Sequence, residues 1–315
     1  MKKIAIIGAG AMGSVYGGLL GAAGCEVWLL DIWQEHIDVI RKKGITVKGA
    51  SSNRRVRVHA TTSPEDIGLC DLVVIATKAH DIEAALKNTP MMGPETIVLS
   101  IQNGIGNAER IEKIIGPQNL LIGIAEGFGA SVVKPGEVYH HGWAMIHLGE
   151  YRAGLSKRTA QLAAVWKSAG FNIKVSKDIH SVIWGKLTRN VAFSAICTIA
   201  GLRIGQVIKN ASAWQIALAC AREAKDTALA KGIVLPYKDP SRWLKAFAAK
   251  IPEAKPSMLI DVEAGRKSEI DALNGAVVKE AESHGVYAPA NTIMTTLVKT
   301  LEEKNRVFGQ AFGVF

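Results

Sequence analysis

The sequence predicts an α/β fold, with an N-terminal doubly wound parallel sheet followed by a second, all-helical C-terminal domain. Short, almost wholly apolar runs alternate with amphipathic segments in the first half. A glycine cluster follows the first of these runs, and strand-like runs nearly vanish after residue 175. Continuous apolar runs of four to five residues are the mark of strands buried on both faces, as in parallel sheets covered by helices.

The predicted strands are Ile4–Ile7, Val27–Leu30, Leu72–Ile75, Ile97–Leu99 and Leu120–Ile124. Helices are predicted near Met12–Ala22, Gln34–Lys43, Asp81–Lys87 and Asn107–Ile115. This β-α repetition is that of a doubly wound sheet. From Phe128 to Leu148 strand-like pieces surround the turn signal Lys134-Pro135-Gly136, and these are expected to extend the sheet with antiparallel strands. After the run Asn172–Val175, helical periodicity covers Ile179–Ala200, Ala211–Lys231, Arg242–Lys250, Glu269–His284 and Thr292–Lys304, with Pro236, Pro240, Pro252 and Pro256 breaking the middle. The division expected is a dinucleotide-binding domain over 1–176 and a helical substrate or dimerisation domain over 177–315.

At 315 residues, 48% hydrophobic and 21% charged, the chain has the length and composition to fill two cores. Lysine and arginine outnumber acids 38 to 28, which suits an anionic ligand. With 6% aromatics and no helix-turn-helix or finger spacing, a nucleic-acid partner is not expected. Cys25, Cys70, Cys197 and Cys220 form no ligand cluster or paired spacing, so neither zinc nor a disulfide framework is indicated, and a reducing, cytoplasmic setting fits. The adjacent His140 and His141 read as one packed and one exposed residue of a strand. The uncharged run Ile4–Cys25 superficially resembles a signal or membrane segment. Its seven glycines favour a strand, a glycine turn and a helix instead, so no membrane association is expected.

Residues Gly8-Ala9-Gly10-Ala11-Met12-Gly13 follow the first strand and open the first helix, the context that a dinucleotide fingerprint requires. Gly8 allows the tight turn, Gly10 lets the backbone approach a pyrophosphate, and Gly13 lets helix lie on strand. The helix N-terminus offers free N–H donors to the anion. Asp31, at the end of the second strand, suits the adenosine ribose hydroxyls and repels a 2′-phosphate; Ile32-Trp33-Gln34-Glu35 holds no basic residue to bind one. The cofactor read here is therefore NAD, with NADH favoured over NADPH. Asp31 is alternatively a helix N-cap, compatible with either cofactor.

Further along stand Ala76-Thr77-Lys78, Gln102-Asn103-Gly104-Ile105-Gly106, Trp184-Gly185-Lys186-Leu187-Thr188-Arg189-Asn190, and Ser257-Met258-Leu259 leading through Glu269-Ile270-Asp271 to Asn274-Gly275. In that order, from Lys3 to about Lys304, the chain resembles the ketopantoate reductase family. The resemblance implies reduction of a 2-oxo acid to a D-configured 2-hydroxy acid by a Rossmann domain and a helical domain. Matched position by position, it implies that Lys186 is the catalytic lysine and Glu269 an active-site glutamate that also meets the cofactor. It implies substrate contacts for Asn190 and Ser257, a cofactor contact for Lys78, and contacts to both ligands for Asn103.

These residue types suit the chemistry. When hydride reaches a ketone carbon, negative charge builds on the oxygen, and an adjacent ammonium stabilises it and supplies a proton. A lysine yields its proton more readily among apolar neighbours such as Trp184 and Leu187, and less readily beside a carboxylate such as Glu269. Lys186 and Asn190, four apart, share a helix face. The chain departs from the family where a second asparagine is usual one turn after Asn190: Ser194 stands there, and the resemblance assigns it to the substrate site. A further asparagine is missing from Gly201–Gly205, where Arg203 is either a replacement carboxylate anchor or a surface arginine. A nicotinamide-linked D-2-hydroxyacid dehydrogenase for other branched or aromatic 2-oxo acids shares nearly all these residues. A non-enzymatic nicotinamide sensor would keep the fold without Lys186, Asn190, Ser257 and Glu269. The apolar helix near Ala211–Ala230 fills the second core or forms a homodimer surface.

Overall fold

The computed structural model describes residues 1–127, 129–142, 145–152 and 154–308; Phe128, where the sequence pattern shifts, lies outside them. The chain falls into two compact units, one of residues 1–102 and 107–179, the other of residues 103–106 and 180–315.

In the first unit the strands are β1 (Lys3–Ile7), β2 (Glu26–Leu30), β3 (Ile45–Gly49), β4 (Arg54–Val56), β5 (His59–Thr61), β6 (Leu72–Ile75), β7 (Ile97–Ser100), β8 (Leu120–Glu126), β9 (Gly129–Lys134), β10 (Glu137–Gly142), β11 (Met145–Glu150) and β12 (Ile173–Val175). The helices are α1 (Ala11–Ala22), α2 (Gln34–Lys43), α3 (Ile82–Ala85), α4 (Asn107–Ile115) and α5 (Lys157–Ser168). Eight strands form one sheet in the order β12-β11-β8-β7-β6-β1-β2-β5. From β8 through β5 every pairing is parallel, while β11 runs antiparallel to β8. The chain leaves β1 in one direction to β2 and β5 and returns to β6 on its other side. The end of β1 is thus the topological switch point, where such sheets bind ligands.

The turn at Lys134-Pro135-Gly136 forms as expected, but its strands do not extend the main sheet. β9 pairs antiparallel with β10, and β10 pairs parallel with β3 in a separate four-stranded sheet, β4-β3-β10-β9. Of the strands in this stretch, β11 joins the main sheet, antiparallel to β8, and β12 later pairs parallel with it at the edge. The reason lies in α1, which packs between the two sheets. A Cβ at Gly17 would stand 2.5 Å from Leu29 of β2, and one at Gly18 would stand 2.6 Å from Val47 of β3. The glycines that make this run a poor membrane helix let both sheets close on it. His140 is fully buried and His141 exposed, as strand alternation requires. The main core gathers Ile4, Ile6, Leu29, Val74 and Leu99 from the sheet with Val15, Tyr16, Leu19 and Leu20 of α1.

The second unit contains α6 (Ile179–Ala200), α7 (Ile204–Lys209), α8 (Ala211–Ala230), α9 (Pro240–Ala248), α10 (Ser257–Glu263), α11 (Asn274–Ser283) and α12 (Pro289–Phe308). Its core joins Trp184, Leu187, Val191 and Ile196 of α6 to Ala217, Ala221, Ala224 and Ala228 of α8. The small side chains of α8 therefore fill this unit's own interior and allow close helix packing. The segment expected as one helix from Glu269 breaks in two. A 3-10 turn spans Ile270–Ala272, Leu273 leaves helical geometry at φ −108° and ψ −101°, and α11 starts at Asn274. No described helix is long and apolar enough to cross a membrane.

Candidate active site

The fingerprint loop sits at the switch point of the sheet. Gly8, at φ +96°, donates its N–H to the Leu30 carbonyl at 2.8 Å, and a Cβ there would lie 2.7 Å from the Thr77 nitrogen. Strands β2 and β6 thus confine the turn from both sides, and only glycine meets both the left-handed backbone and the clearance. At Gly13 a Cβ would fall 1.9 Å from the Gly8 carbonyl oxygen, so the start of α1 lies directly on the loop. Gly10 differs: no atom lies within 4 Å of its absent Cβ, leaving the backbone open to a ligand. Gly10 caps α1 with no side-chain bond, and no acid occupies the first turn, so the N–H groups of Ala11, Met12 and Gly13 keep their affinity for an anion. Ala9, buried in the loop, accepts at its carbonyl from Ser14 Oγ at 2.7 Å.

Behind the loop stands a buried relay that the sequence did not disclose. Gly136 N–H donates to His36 Nδ1 at 3.2 Å, which places the ring proton on Nε2, 3.2 Å from Ser14 Oγ. Burial pushes the His36 pKa down, opposed by the Asp31 carboxylate and by a hydrogen bond to the Ala9 carbonyl. Trp33 stacks on the ring at 4.9 Å.

Asp31 follows β2. Its Oδ1 accepts the Trp33 N–H at 3.0 Å, and the α2 N-cap is Trp33, so the carboxylate fixes the turn before the helix and does not cap it. Lys78, half-buried, follows β6 and precedes a short 3-10 turn at Ala79–Asp81.

The helical unit carries the remaining candidates. Lys186 Nζ donates to Asn103 Oδ1 at 2.8 Å. Asn103 lies in the four-residue excursion 103–106, which packs with the helical unit even though its flanks belong to the sheet. The excursion is held by the 3-10 turn: Ile105 N–H donates to the Ala272 carbonyl at 3.1 Å, and a Cβ at Gly104, whose φ is +84°, would lie 2.0 Å from that oxygen. Glu269 is 9% exposed and immediately precedes the turn.

Lys186 is half-buried on α6 between the fully buried Trp184 and Leu187. Asn190 follows one turn on, half-buried, and Ser194 a further turn on, buried. The helix is buttressed from behind. Tyr237 Oη donates to Thr188 Oγ1 at 2.8 Å, Thr188 Oγ1 donates to the Trp184 carbonyl at 2.9 Å, and the Arg189 guanidinium lies over Phe247 and Trp243. Ser257 opens α10 and is exposed. Arg203 is engaged elsewhere, donating to the Glu253 carbonyl at 2.7 Å, and this favours its surface reading over a carboxylate anchor. Among the described residues no group of three or more His, Cys, Asp or Glu could hold a metal ion.

Residues 4–153 match the family described as ketopantoate reductase PanE/ApbA, and residues 178–302 match the C-terminal part of the same family. The chain belongs to the ketopantoate reductase family. It is 34% identical to the 2-dehydropantoate 2-reductase of Pyrococcus abyssi over 301 residues, covering 95% of this chain and 98% of that protein. A PanE/ApbA family ketopantoate reductase from Ralstonia eutropha superposes with a TM-score of 0.89 at 30% identity, over 96% of this chain and 99% of that one. D-mandelate dehydrogenase, in a ternary structure with NADH and anilino(oxo)acetate, superposes with a TM-score of 0.87 at 29% identity, over 97% and 99% of the two chains. Members of the ketopantoate reductase family are nicotinamide-dependent oxidoreductases, and the glycine loop is of the kind that holds such a dinucleotide.

Proposed function

We propose that the protein reduces a 2-oxo acid with NADH, and that 2-dehydropantoate, yielding (R)-pantoate, is its substrate. The observation that carries this reading is the 2.8 Å bond between Lys186 and Asn103, which presents an ammonium and a carboxamide together on the Asn190 face of a family-matched helix.

The residues of the first unit fit a dinucleotide. Open space at Gly10, the tight seats of Gly8 and Gly13 and the uncapped start of α1 suit a pyrophosphate. Ala9, Ala11 and Met12 complete the loop, Asp31 suits ribose hydroxyls, and Lys78 would meet the cofactor beyond the end of β6. When bound, the cofactor supplies hydride to the carbonyl carbon. Lys186 holds its proton toward the carbonyl oxygen, stabilises the charge that gathers there and then releases the proton to it. Asn103 orients the lysine by accepting its N–H at Oδ1. Asn190, Ser194 and Ser257 orient the acid, while Glu269 would place a carboxylate in the active site and border the cofactor.

Asp31 with no base in the four residues that follow supports NADH over NADPH. A second reading rests on Ser194, buried at 4% exposure where the family usually has an asparagine. The shorter side chain leaves room for a bulkier acyl group, in keeping with a D-2-hydroxyacid dehydrogenase for branched or aromatic 2-oxo acids. A panel of 2-oxo acids assayed with NADH and NADPH separates the two. Ketopantoate is expected to give the highest kcat/KM, and a branched or aromatic acid exceeding it by more than about tenfold, roughly 1.4 kcal/mol of transition-state binding, would replace the first reading with the second.

A further inference from the structure

Asn274 belongs to the Asn-Gly pair that closes the last sequence block, and the chemistry above gives it no task. It is nonetheless fully buried. Its Nδ2 donates to the Val191 carbonyl of α6 at 3.2 Å and to Asn291 Oδ1 of α12 at 3.0 Å. Asn291 Nδ2 in turn donates to the Cys220 carbonyl at 3.1 Å and to Glu223 Oε2 at 2.7 Å. Glu223 also accepts the Ala290 and Asn291 N–H groups at the start of α12, at 2.8 and 2.9 Å. Burying an amide is unfavourable unless it is bonded, and Asn274 Oδ1 has no partner at all. A leucine would fill the same space with no such cost, so packing alone does not account for an asparagine here.

Its place along the chain supplies an account. Two residues earlier, the Ala272 carbonyl holds the Asn103–Gly106 excursion through the Ile105 N–H, with Gly104 pressed against it. The carbonyl held by Asn274 itself is that of Val191, the residue after Asn190. We propose that Ala272–Asn274 is a bracket joining the Asn103 loop to α6, and that Asn274 and Gly104 are positioning residues that set Asn103 Oδ1 against Lys186 Nζ. Every member lies within the helical unit. Asn103 and Lys186 are 83 positions apart, and their hydrogen bond is lost if either backbone moves by about 1 Å. The amide suits the task because it offers two donors in one plane to two acceptors on different helices. Aspartate or leucine offers none.

The inference rests on the proposed role of the Lys186–Asn103 pair, and its test separates the two. Asn274→Leu and Gly104→Ala are measured alone and combined with Asn103→Ala, with Leu244→Ala, a fully buried core position on α9, as a stability control. Each positioning variant is expected to lower kcat roughly tenfold to a hundredfold with the dissociation constant for NADH unchanged. Combined with Asn103→Ala, each should add less than about twofold, because residues acting through one contact are not additive. Leu244→Ala should lower the unfolding midpoint and leave kcat intact. Full multiplication of the effects in the Asn103→Ala background overturns the bracket, and so does an equal loss of kcat in Leu244→Ala. If Asn274→Leu does not fold, Gly104→Ala, in a partly exposed loop, decides by the same criterion. An inactive wild-type protein would overturn the reductase reading instead. The bracket is then judged by hydrogen exchange at the Ile105 amide, which should quicken in Asn274→Leu but not in Leu244→Ala, and unchanged exchange in Asn274→Leu refutes it.

Discussion

Lys186 Nζ and Asn103 Oδ1 meet at 2.8 Å within the helical unit, although Asn103 follows a strand of the sheet in sequence. The amide that faces the lysine is therefore carried by the same unit as the lysine. The proposed proton donor and its proposed orienting partner thus form one preassembled group, as positioned general acids require.

Asp31 governs the choice of dinucleotide in this account. Asp31→Asn removes the negative charge and keeps an acceptor for the Trp33 N–H. The kcat/KM ratio of NADH to NADPH is expected to fall by about tenfold, the effect of roughly 1.4 kcal/mol of relieved repulsion at a partly exposed site. Steady-state kinetics with both cofactors check this, and an unchanged ratio would assign the preference to other residues.

Gly13→Ala places a methyl group 1.9 Å from the Gly8 carbonyl oxygen, so the loop or α1 must shift. Overpacking of this kind destabilises a protein by about 1–3 kcal/mol. Calorimetric titration with NADH should show an affinity loss of at least tenfold. Gly10→Ala, in open space, should leave the unfolding midpoint near that of wild type while still weakening NADH binding.

The buried relay predicts a pH dependence of stability. Burial lowers the folded-state pKa of His36, and also that of His140. The unfolded chain therefore binds more protons below about pH 6.5, and stability is fully present above that value and lost as pH falls through the folded pKa values. The slope is at most about 1.4 kcal/mol per pH unit for each histidine. Protonation of His36 Nδ1 would also set a second donor against the Gly136 N–H. Urea midpoints between pH 5 and 7.5 should fall toward acid in wild type and fall less steeply in His36→Asn; parallel curves would exclude His36 as a source.

The parts of this protein that could be read from sequence are those fixed by local constraint. Ile4–Ile7 and Leu72–Ile75 sit in the sheet with both faces covered, so every position is apolar and the run declares itself. β4 and β5, Arg54–Val56 and His59–Thr61, are three residues long and carry arginine, histidine and threonine, which conceals them. The second sheet was hidden for a related reason: β3 pairs with a strand about ninety residues later, and pairing across that distance leaves no local pattern. α5 went unread for a local reason: Ser156 and Thr159 form its capping box, but Thr159 stands where the sequence signature calls for Glu or Gln. In the candidate site, the roles of Gly8 and Gly13 follow from one strand, one turn and one helix. The family resemblance singles out Lys186 and Asn103 separately, but their contact depends on the Ala272 carbonyl and the Asn274 amide, which only the packed helices bring into place. His36 was equally silent, since its partners Ser14 and Gly136 are 22 and 100 positions away.

The central claim is that the Lys186 ammonium supplies the proton, and Lys186→Ala compared with wild type tests it most directly. Single-turnover reduction of ketopantoate should slow by about 10²–10⁴-fold, while the dissociation constant for NADH, whose proposed pyrophosphate seat is the glycine loop, stays within twofold. Turnover at the wild-type rate in a folded, NADH-binding variant would contradict the account.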